Sequence, residues 1–156
     1  HWRQYDWAEF AGLAAILRAG ETPTPGMCGG HLVMGHLLGA IVTRLGRLRA
    51  DEDDSGAYMP GWRKEWGFRP IDLDVPDPLF DGLGARPAMF LAHGRALKAA
   101  PPGYAPLAST PTCAIQAIRR DGYPIYGVQF HPELFDDEHP AGRRLLANFF
   151  ALAGIA

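Results

Sequence analysis

Cysteine is scarce in this sequence, and its scarcity limits the classes of protein that the chain can represent. The 156 residues include two cysteines, Cys28 and Cys113, and their separation is not that of a metal-binding pair. Two cysteines in a domain of this length do not form the disulfide framework of a small secreted protein. We therefore expect a reducing environment, and the predicted location is the cytoplasm.

Strong charge and long apolar runs are lacking as well. The chain carries 15 lysines and arginines against 17 aspartates and glutamates, so its formal net charge is −2. The basic residues are scattered, and the one cluster of like charges is acidic, at 51–54, where we expect a solvated loop. This balance indicates no nucleic-acid partner. No apolar run can cross a bilayer and no signal-peptide pattern is present, so no membrane association is expected.

The histidines form no recognisable metal-binding pattern. His31 and His36 are five positions apart, a spacing that does not place two side chains on one face of a helix. His1 can in principle chelate copper through its α-amino group, but the sequence identifies no further ligands for such a site. The sequence therefore predicts no metal site.

Glycines surround one of the two cysteines, in the stretch 25–32 (Pro-Gly-Met-Cys-Gly-Gly-His-Leu). This stretch follows a short extended run and precedes an apolar helical pattern. A nucleophile on such a strand-to-helix turn needs glycine neighbours, because the bend is sharp and the backbones pack closely. The turn also places the sulfur of Cys28 at a helix N-terminus, where free N–H groups and the macrodipole favour a thiolate.

A second motif, Gly127–Glu133 (Gly-Val-Gln-Phe-His-Pro-Glu), supplies a histidine with a carboxylate two positions further on. Cysteine, histidine and glutamate are the parts of a triad made of a nucleophile, a base and a residue that orients the base. The two motifs therefore predict Cys28, His131 and Glu133 as catalytic residues.

Hydrophobic periodicity predicts alternating helices and strands. The predicted helices span 7–18, 30–45 and 141–152; the predicted strands span 22–27, 41–48, 65–73, 88–93, 104–109, 112–119 and 124–130, and a loop covers 51–61. The first helix has Asp6 as its N-cap, Gly20 as its end and an apolar stripe of Phe10, Leu13, Ile16 and Leu17. With 47% hydrophobic residues and no repeat, this pattern favours one α/β domain with a mostly parallel core and an antiparallel portion.

At the two motifs the chain resembles the class I glutamine amidotransferases, whose triad is of the Cys-His-Glu type. Gly26–His31 is similar to that family's nucleophile motif, and Gly127–Glu133 is similar to its histidine–glutamate motif without a substitution. The stretches 76–83 and 102–108, the His93 loop and the terminal helix follow in the family's order, so the resemblance covers nearly the whole chain. It implies a flavodoxin-like three-layer α/β domain with a mostly parallel central sheet and a nucleophile elbow.

The resemblance also implies a reaction. Cys28 attacks the side-chain amide of glutamine and forms a thioester, while His131 takes the thiol proton and passes it to departing ammonia. Glu133, on the same strand face by the period of two, holds the imidazole in the useful tautomer. The backbone N–H of Gly29 is one oxyanion donor. Thioester chemistry needs no cofactor, so none is expected.

Some positions depart from the family pattern. Leu32 stands where the family usually has a glutamine that contacts the substrate, and Pro25 stands where an apolar strand residue is expected. Proline removes a ladder donor from a central strand, so this strand is expected to be irregular. In the loop that contains His93 and Gly94, no hydroxyl-bearing residue flanks the histidine. Gly29, Leu32, His93 and Gly94 are the predicted oxyanion and substrate-binding positions.

The leading hypothesis is an amide hydrolase that releases ammonia from glutamine. One alternative is the same triad acting on γ-glutamyl amides or peptides, and another is a catalytically silent module kept for binding or regulation. A cysteine-dependent peptidase or chaperone of related fold is disfavoured, because those relatives generally lack the His-Pro-Glu run. The expected partners are a small-molecule amide substrate and an ammonia-accepting synthase subunit, since this sequence carries no synthase activity.

The front of the family's domain has no counterpart in the sequence. The family begins with a strand–helix–strand unit of roughly 30 residues or more, and its glycine-rich loop supplies the second oxyanion donor. No such unit precedes Trp7. The sequence therefore predicts a single amidotransferase-like domain over 1–156 in which this unit is either missing or outside the sequence given.

Overall fold

The computed structural model describes residues 5–54 and 58–155 of the chain, so His1 and its proposed copper chelation lie outside the described residues. The helices are α1 (Ala11–Ala19), α2 (Gly29–Leu37) and α3 (Ala141–Leu152), and short 3₁₀ turns span Trp7–Phe10 and Pro78–Phe80. The strands are β1 (Thr24–Met27), β2 (Val42–Arg44), β3 (Glu65–Pro70), β4 (Asp72–Leu73), β5 (Ala88–His93), β6 (Arg95–Leu97), β7 (Tyr104–Ser109), β8 (Ala117–Arg120) and β9 (Ile125–Val128).

A mixed sheet with the strand order β1-β9-β8-β7-β4 lies at the centre of the fold. β1 pairs with β9 in parallel, whereas the β9–β8, β8–β7 and β7–β4 pairings are antiparallel. The predicted α/β class is confirmed. The described sheet differs from the expected mostly parallel arrangement, because β7, β8 and β9 follow one another through connections that are too short for a parallel crossover. Two antiparallel ribbons, β2–β6 and β3–β5, complete the strands described.

Helices cover both faces of this sheet and give the fold its three layers. In β9 the side chain of Ile125 lies on the side of α1 and α2, whereas Tyr126 and Val128 lie on the side of α3. This alternation follows from the period of two along a strand. The layer under α1 and α2 contains Leu17, Leu32, Met34, Leu97, Tyr104, Ile115, Ile118 and Ile125. The opposite layer is built around Phe130, Leu145 and Phe149.

The first helical segment begins and ends as predicted. The Asp6 carboxylate accepts a hydrogen bond from the backbone N–H of Ala8 at 3.0 Å, and Gly20 ends α1 with a left-handed φ of 83°. The predicted apolar stripe is correct at Leu17, which is fully buried, and wrong at Ile16, which is 42% exposed. The segment opens as a 3₁₀ turn, which winds three residues per turn and so rotates the buried face away from the expected stripe.

Two elements are shorter than predicted. α2 ends at Leu37 because Gly39 adopts a left-handed φ of 91°, and β2 begins soon afterwards. β8 begins at Ala117 because Thr110 and Cys113 close a turn, in which the Cys113 N–H donates to the Thr110 carbonyl at 3.2 Å. In the described ranges, none of the helices has the length and apolar character that crossing a bilayer requires.

Part of the acidic stretch at 51–54 is held by ion pairs rather than simply solvated. Asp51 and Asp53 are exposed, as expected. Glu52 Oε1 lies 2.8 Å from the Arg63 guanidinium, and Asp54 Oδ1 lies 2.7 Å from the Lys64 ammonium. The sequence shows no spacing that pairs these residues, because the cations belong to the segment that enters β3.

Pro25 lies within β1 without disturbing it, so the expected irregularity is absent. The β1–β9 register runs without a shift from Thr24 to Met27. In the described part of the chain β1 is an edge strand, so no neighbour on its other side needs the N–H that proline lacks.

Because α3 packs closely against the segment after β9, we expect one added methyl group at Gly142 to reduce stability. A Cβ at Gly142 would overlap the backbone carbonyl of Pro132. We expect Gly142→Ala to reduce the free energy of unfolding by about 1–3 kcal/mol, because overpacking against backbone cannot be relieved by a side-chain rotation. Urea denaturation measures this change.

Gly12→Ala is the matched control, since Gly12 also lies in a helix and a Cβ there would meet nothing within 4 Å. It should be neutral or stabilise by up to about 1 kcal/mol through helix propensity. Equal effects of the two substitutions would contradict the packing described for Gly142.

Candidate active site

Cys28 occupies a strained turn between β1 and α2. Its φ of 46° and ψ of −103° lie in a region that side-chain-bearing residues rarely adopt. Within the described ranges, Met59 is the only other non-glycine residue with a positive φ. Strain of this kind concentrates at functional sites, and a sharp strand-to-helix turn is the geometry that presents a nucleophile. The predicted turn at Cys28 is therefore present.

The glycines around Cys28 have different physical roles. A Cβ at Gly26 would lie 3.0 Å from Met34 Cε and 3.1 Å from the Gly30 carbonyl, so close backbone packing favours glycine there. A Cβ at Gly29 or Gly30 would meet nothing within 4 Å. The packing explanation is therefore correct for Gly26 and wrong for the two glycines after Cys28.

His131 and Glu133 form a hydrogen-bonded pair. The Nδ1 atom of His131 lies 2.7 Å from Glu133 Oε1, and the His131 backbone N–H donates to the Phe90 carbonyl at 2.8 Å. The pair lies in a turn closed by the Leu134 N–H and the His131 carbonyl at 3.2 Å, not on one face of a strand as predicted, because β9 ends at Val128. A proton shared at Nδ1 leaves Nε2 as the free lone pair.

The parallel pairing of β1 with β9 brings the two motifs to one edge of the sheet. Met27 is in register with Val128, and the Cys28 N–H donates to the Val128 carbonyl at 2.8 Å. Both motifs therefore leave the sheet at the carboxyl ends of adjacent parallel strands. Among the described residues no hydrogen bond joins Cys28 Sγ to His131, and such bonds often tighten only when substrate is bound.

Burial dominates the titration of Cys28. The pKa of its thiol is raised above the usual value, first by burial, and the nearby Glu133 carboxylate raises it further. Hydrogen bonds from the Gly29 N–H and the Gln129 side chain act in the opposite direction. The expectation that the helix N-terminus favours a thiolate is correct in sign for the Gly29 donor, but desolvation outweighs it.

Gln129 is a site residue that the sequence analysis did not single out. Its side chain is fully buried, its Nε2 atom lies 3.8 Å from Cys28 Sγ, and its Oε1 atom has no partner among the described residues. Its N–H donates to the Gln116 carbonyl at 2.7 Å, which fixes the backbone of the segment. Gln129 directly follows β9, and β9 runs parallel to the strand that ends at the nucleophile. This position is the signal that could have identified it.

Leu32 belongs to the apolar interior. It is 6% exposed and packs in the layer under α1 and α2 with Leu17 and Ile118. Its backbone N–H donates to the Cys28 carbonyl at 3.2 Å as part of α2. The structure thus places Leu32 one helical turn after Cys28, and its role in substrate binding stays a prediction.

His93 and Gly94 lie in a buried cluster apart from the Cys28 turn. His93 is 3% exposed, with Nε2 2.9 Å from Glu65 Oε2. A Cβ at Gly94 would lie 2.6 Å from Met59 Sδ, so a larger residue there would displace the Met59 side chain. Among the described residues no hydrogen bond or ion pair joins either position to the Cys28 turn or to the His131–Glu133 pair, and substrate binding by these two residues stays a prediction.

His31 is a packed residue of α2. It is completely buried, and a Cβ at Gly127 would lie 2.5 Å from its Nδ1 atom. Burial, followed by repulsion from His93, lowers the pKa of His31 to about 3. His31 is therefore neutral near pH 7 and adds no charge beside the nucleophile.

Comparison with known proteins identifies the family. The model of the family Glutamine amidotransferase class-I matches residues 6–153. The chain therefore belongs to the class I glutamine amidotransferases, as the two motifs indicated.

Its similar relatives include GMP synthases. The chain is 35% identical over 135 residues to the glutamine-hydrolysing GMP synthase of Parafrankia sp., covering 86% of this chain and 22% of that protein. It is 33% identical over 134 residues to one subunit of the glutamine-hydrolysing GMP synthase of Pyrococcus abyssi, covering 86% of this chain and 62% of the subunit. The chain thus spans less than two thirds of each of these relatives.

Solved structures share the fold. A protein from Thermoplasma acidophilum, described as a candidate GMP synthase subunit, superposes with a TM-score of 0.73 at 21% identity, covering 96% of this chain and 66% of that one. A glutamine amidotransferase from Thermotoga maritima superposes with a TM-score of 0.62 at 20% identity, covering 92% and 51%. At these identities the likeness shows the fold alone.

The contact between Gln129 and Cys28 predicts a shift in thiol reactivity. We expect Gln129→Met, which keeps the side-chain length and removes the amide donor, to raise the pKa of Cys28 by about 0.4–1 unit. The measurement is the pH dependence of iodoacetamide alkylation, with the Cys113→Ser background as the reference so that only Cys28 reports. An unchanged midpoint would mean that the amide does not act on the sulfur.

Proposed function

We propose that this chain hydrolyses the side-chain amide of glutamine and supplies ammonia to a synthase. The observation that carries the proposal is the meeting, at one edge of the sheet, of the strained Cys28 turn and the His131–Glu133 pair, whose atoms lie 2.7 Å apart. Family membership supports the same reaction class. In this proposal the turn at Cys28 is a nucleophile elbow and the three residues form the triad.

The first chemical step is attack of Cys28 Sγ on the amide carbon. His131 Nε2 takes the thiol proton, and the new carbon–sulfur bond forms a tetrahedral intermediate whose oxyanion is bound by the Gly29 N–H. The carbon–nitrogen bond then breaks, and the proton on His131 passes to the departing ammonia. Water hydrolyses the thioester, again with His131 as base, and releases glutamate.

The raised pKa of Cys28 makes the base essential in this scheme. A thiol that is mostly protonated near pH 7 must lose its proton during the attack, so transfer to His131 is coupled to bond formation. Glu133 holds the ring in the tautomer with Nε2 free and stabilises the imidazolium as it forms. No cofactor takes part in these steps.

The relatives suggest the kind of partner. Those named above are glutamine-hydrolysing GMP synthases, in one case a separate subunit. We propose that ammonia released at Cys28 is used by a synthase, on another subunit or elsewhere on a longer chain. The cytoplasmic location and a single domain over the sequence given remain parts of this proposal.

A second candidate function, a module without turnover, is favoured by one specific observation. Leu32 packs in the apolar layer, so the side chain at this position offers no polar contact to a substrate. The same observation favours γ-glutamyl amides or peptides as substrates of an active triad. A binding or regulatory module keeps the fold and loses the ability to trap substrate at Cys28.

Labelling by a glutamine-mimicking electrophile, such as a diazoketone analogue, tests this proposal. We expect fast, saturable labelling of Cys28 that added glutamine slows, because the analogue must first occupy the glutamine site. Mass spectrometry locates the adduct, and Cys28→Ser should abolish it.

Cys113 serves as the internal control, because burial raises its pKa to about 12 and keeps it unreactive. Equal, slow labelling of both cysteines that is indifferent to glutamine would favour the silent module. Labelling slowed by a γ-glutamyl amide but not by glutamine would select the alternative substrate.

Glu133→Gln separates the two effects of this carboxylate. We expect kcat for ammonia release to fall roughly 10²–10⁴-fold, because the imidazolium is no longer stabilised. The pKa of Cys28 should instead fall, since the Glu133 charge raises it, so the midpoint of iodoacetamide alkylation moves to lower pH.

Asp136→Asn is the matched control, because Asp136 Oδ1 lies 2.9 Å from His139 Nδ1 in a second exposed histidine–carboxylate pair. It should leave both kcat and the alkylation midpoint unchanged. Loss of activity in both variants would point to a general structural effect.

A further inference from the structure

A second cluster of cysteine, histidine and glutamate lies away from the candidate active site. Glu65 in β3, His93 in β5 and Cys113 in the turn before β8 place one ligand atom each within 4.8 Å of one another. Cys113 and His93 are 2% and 3% exposed, and the side chain of Glu65 is 9% exposed. Three chemically different metal-ligating groups therefore converge in the interior.

The imidazole of His93 is oriented as a metal ligand. Its Nδ1 atom lies 2.9 Å from the Arg95 carbonyl, so Nδ1–H donates to the backbone and Nε2 is directed towards Glu65 at 2.9 Å. Metal-binding histidines usually donate their second N–H to a carbonyl or carboxylate in this way.

Glu65 and Cys113 are held in place by hydrogen bonds from neighbouring residues. The Glu65 carboxylate accepts hydrogen bonds from Thr110 Oγ1 and Gln116 Nε2, both at 2.6 Å. Cys113 is fixed in its turn by its N–H, which donates to Thr110 Oγ1 at 3.0 Å. Such bonds to the ligands preset a coordination site before any ion binds.

A buried amide group with an unpartnered oxygen borders the cluster. Gln116 is completely buried, its amide nitrogen lies 3.4 Å from His93 Nε2, and its Oε1 atom has no hydrogen-bond partner in the described part of the chain. A buried amide oxygen without a partner costs roughly 1–3 kcal/mol. The amide nitrogen now faces the cluster, and a half-turn of the amide group would direct Oε1 there instead, where a bound cation would satisfy it as a fourth ligand.

We propose that Glu65, His93 and Cys113 bind a zinc ion, with Gln116 Oε1 as the fourth ligand. Thiolate, imidazole and carboxylate are the ligands that zinc combines in tetrahedral sites. Zinc binds the thiolate form of Cys113, so binding releases the thiol proton to solvent. The ligand atoms must draw closer together around the ion, since zinc holds its ligands about 2.0–2.3 Å from the metal.

Burial makes this a structural site rather than a catalytic one. The ion would join β3, β5 and the turn before β8, and β5 also carries the Phe90 carbonyl that accepts the His131 N–H. A cavity of about 470 Å³, lined in part by Lys64, Pro111 and Thr112, lies beside the chain neighbours of Glu65 and Cys113 and offers a route of entry. The sequence predicted no metal because these ligands come from three separate elements.

Cobalt titration of the Cys28→Ser chain tests the site without reference to activity, because Cys113 is then the only thiol. We expect one equivalent of Co²⁺ to bind with a thiolate-to-cobalt absorption band, the Cys113 thiol proton to be released, and Zn²⁺ to displace the cobalt. At a hundredfold excess over the zinc Kd, the melting temperature should rise by about 5–10 °C.

The double variant Cys28→Ser/Cys113→Ser should lose the band, and Glu65→Gln in the Cys28→Ser background should weaken binding at least tenfold. Glu52→Gln is the matched control, since Glu52 lines the nearby cavity and should leave binding unchanged. Circular dichroism checks that each variant folds. A band that survives Cys113→Ser, sensitivity to Glu52 but not to Glu65, or no binding at all would overturn the proposal.

Discussion

The parallel pairing of β1 with β9 is the interaction on which the candidate active site depends. The backbone bond from the Cys28 N–H to the Val128 carbonyl continues the ladder one residue beyond the strand and fixes the strained cysteine against the start of the second motif. A slip of one residue would turn Gln129 away from the sulfur and exchange the two layers on which Ile125 and Tyr126 pack. The apolar layers therefore enforce the register that the site requires.

Two opposing effects act on the nucleophile. The turn exposes Cys28 to the N-terminal donors of α2, which favour a thiolate, while burial and the Glu133 charge favour the thiol. The net effect favours the protonated thiol. In this form Cys28 is protected from oxidation and from metal binding in the resting state. The carboxylate thus has two consequences, since it prepares the base and also discourages premature ionisation of the nucleophile.

Much of this structure follows from local sequence signals. The Asp6 cap, the left-handed Gly20 and the bounds of α3 are determined by neighbouring residues, and the motif residues were visible as spacing. The antiparallel part of the sheet, the surroundings of His93 and the contact of Gln129 with the sulfur depend on residues that are distant in sequence. Such contacts leave no periodic trace in a single sequence, which is why the strand directions of the sheet and the buried partners of His93 were not predicted.

The approach of Gly142 to the Pro132 carbonyl has an evolutionary consequence. The turn that carries His131 is supported from behind by main chain rather than by a side chain. The exposed face of α3 can therefore accumulate substitutions without moving the imidazole, whereas any larger residue at Gly142 presses on the backbone of this turn. Divergent relatives should vary freely in sequence along the exposed face of α3. The distance between the helix and the His131 turn should stay constant at the position of Gly142.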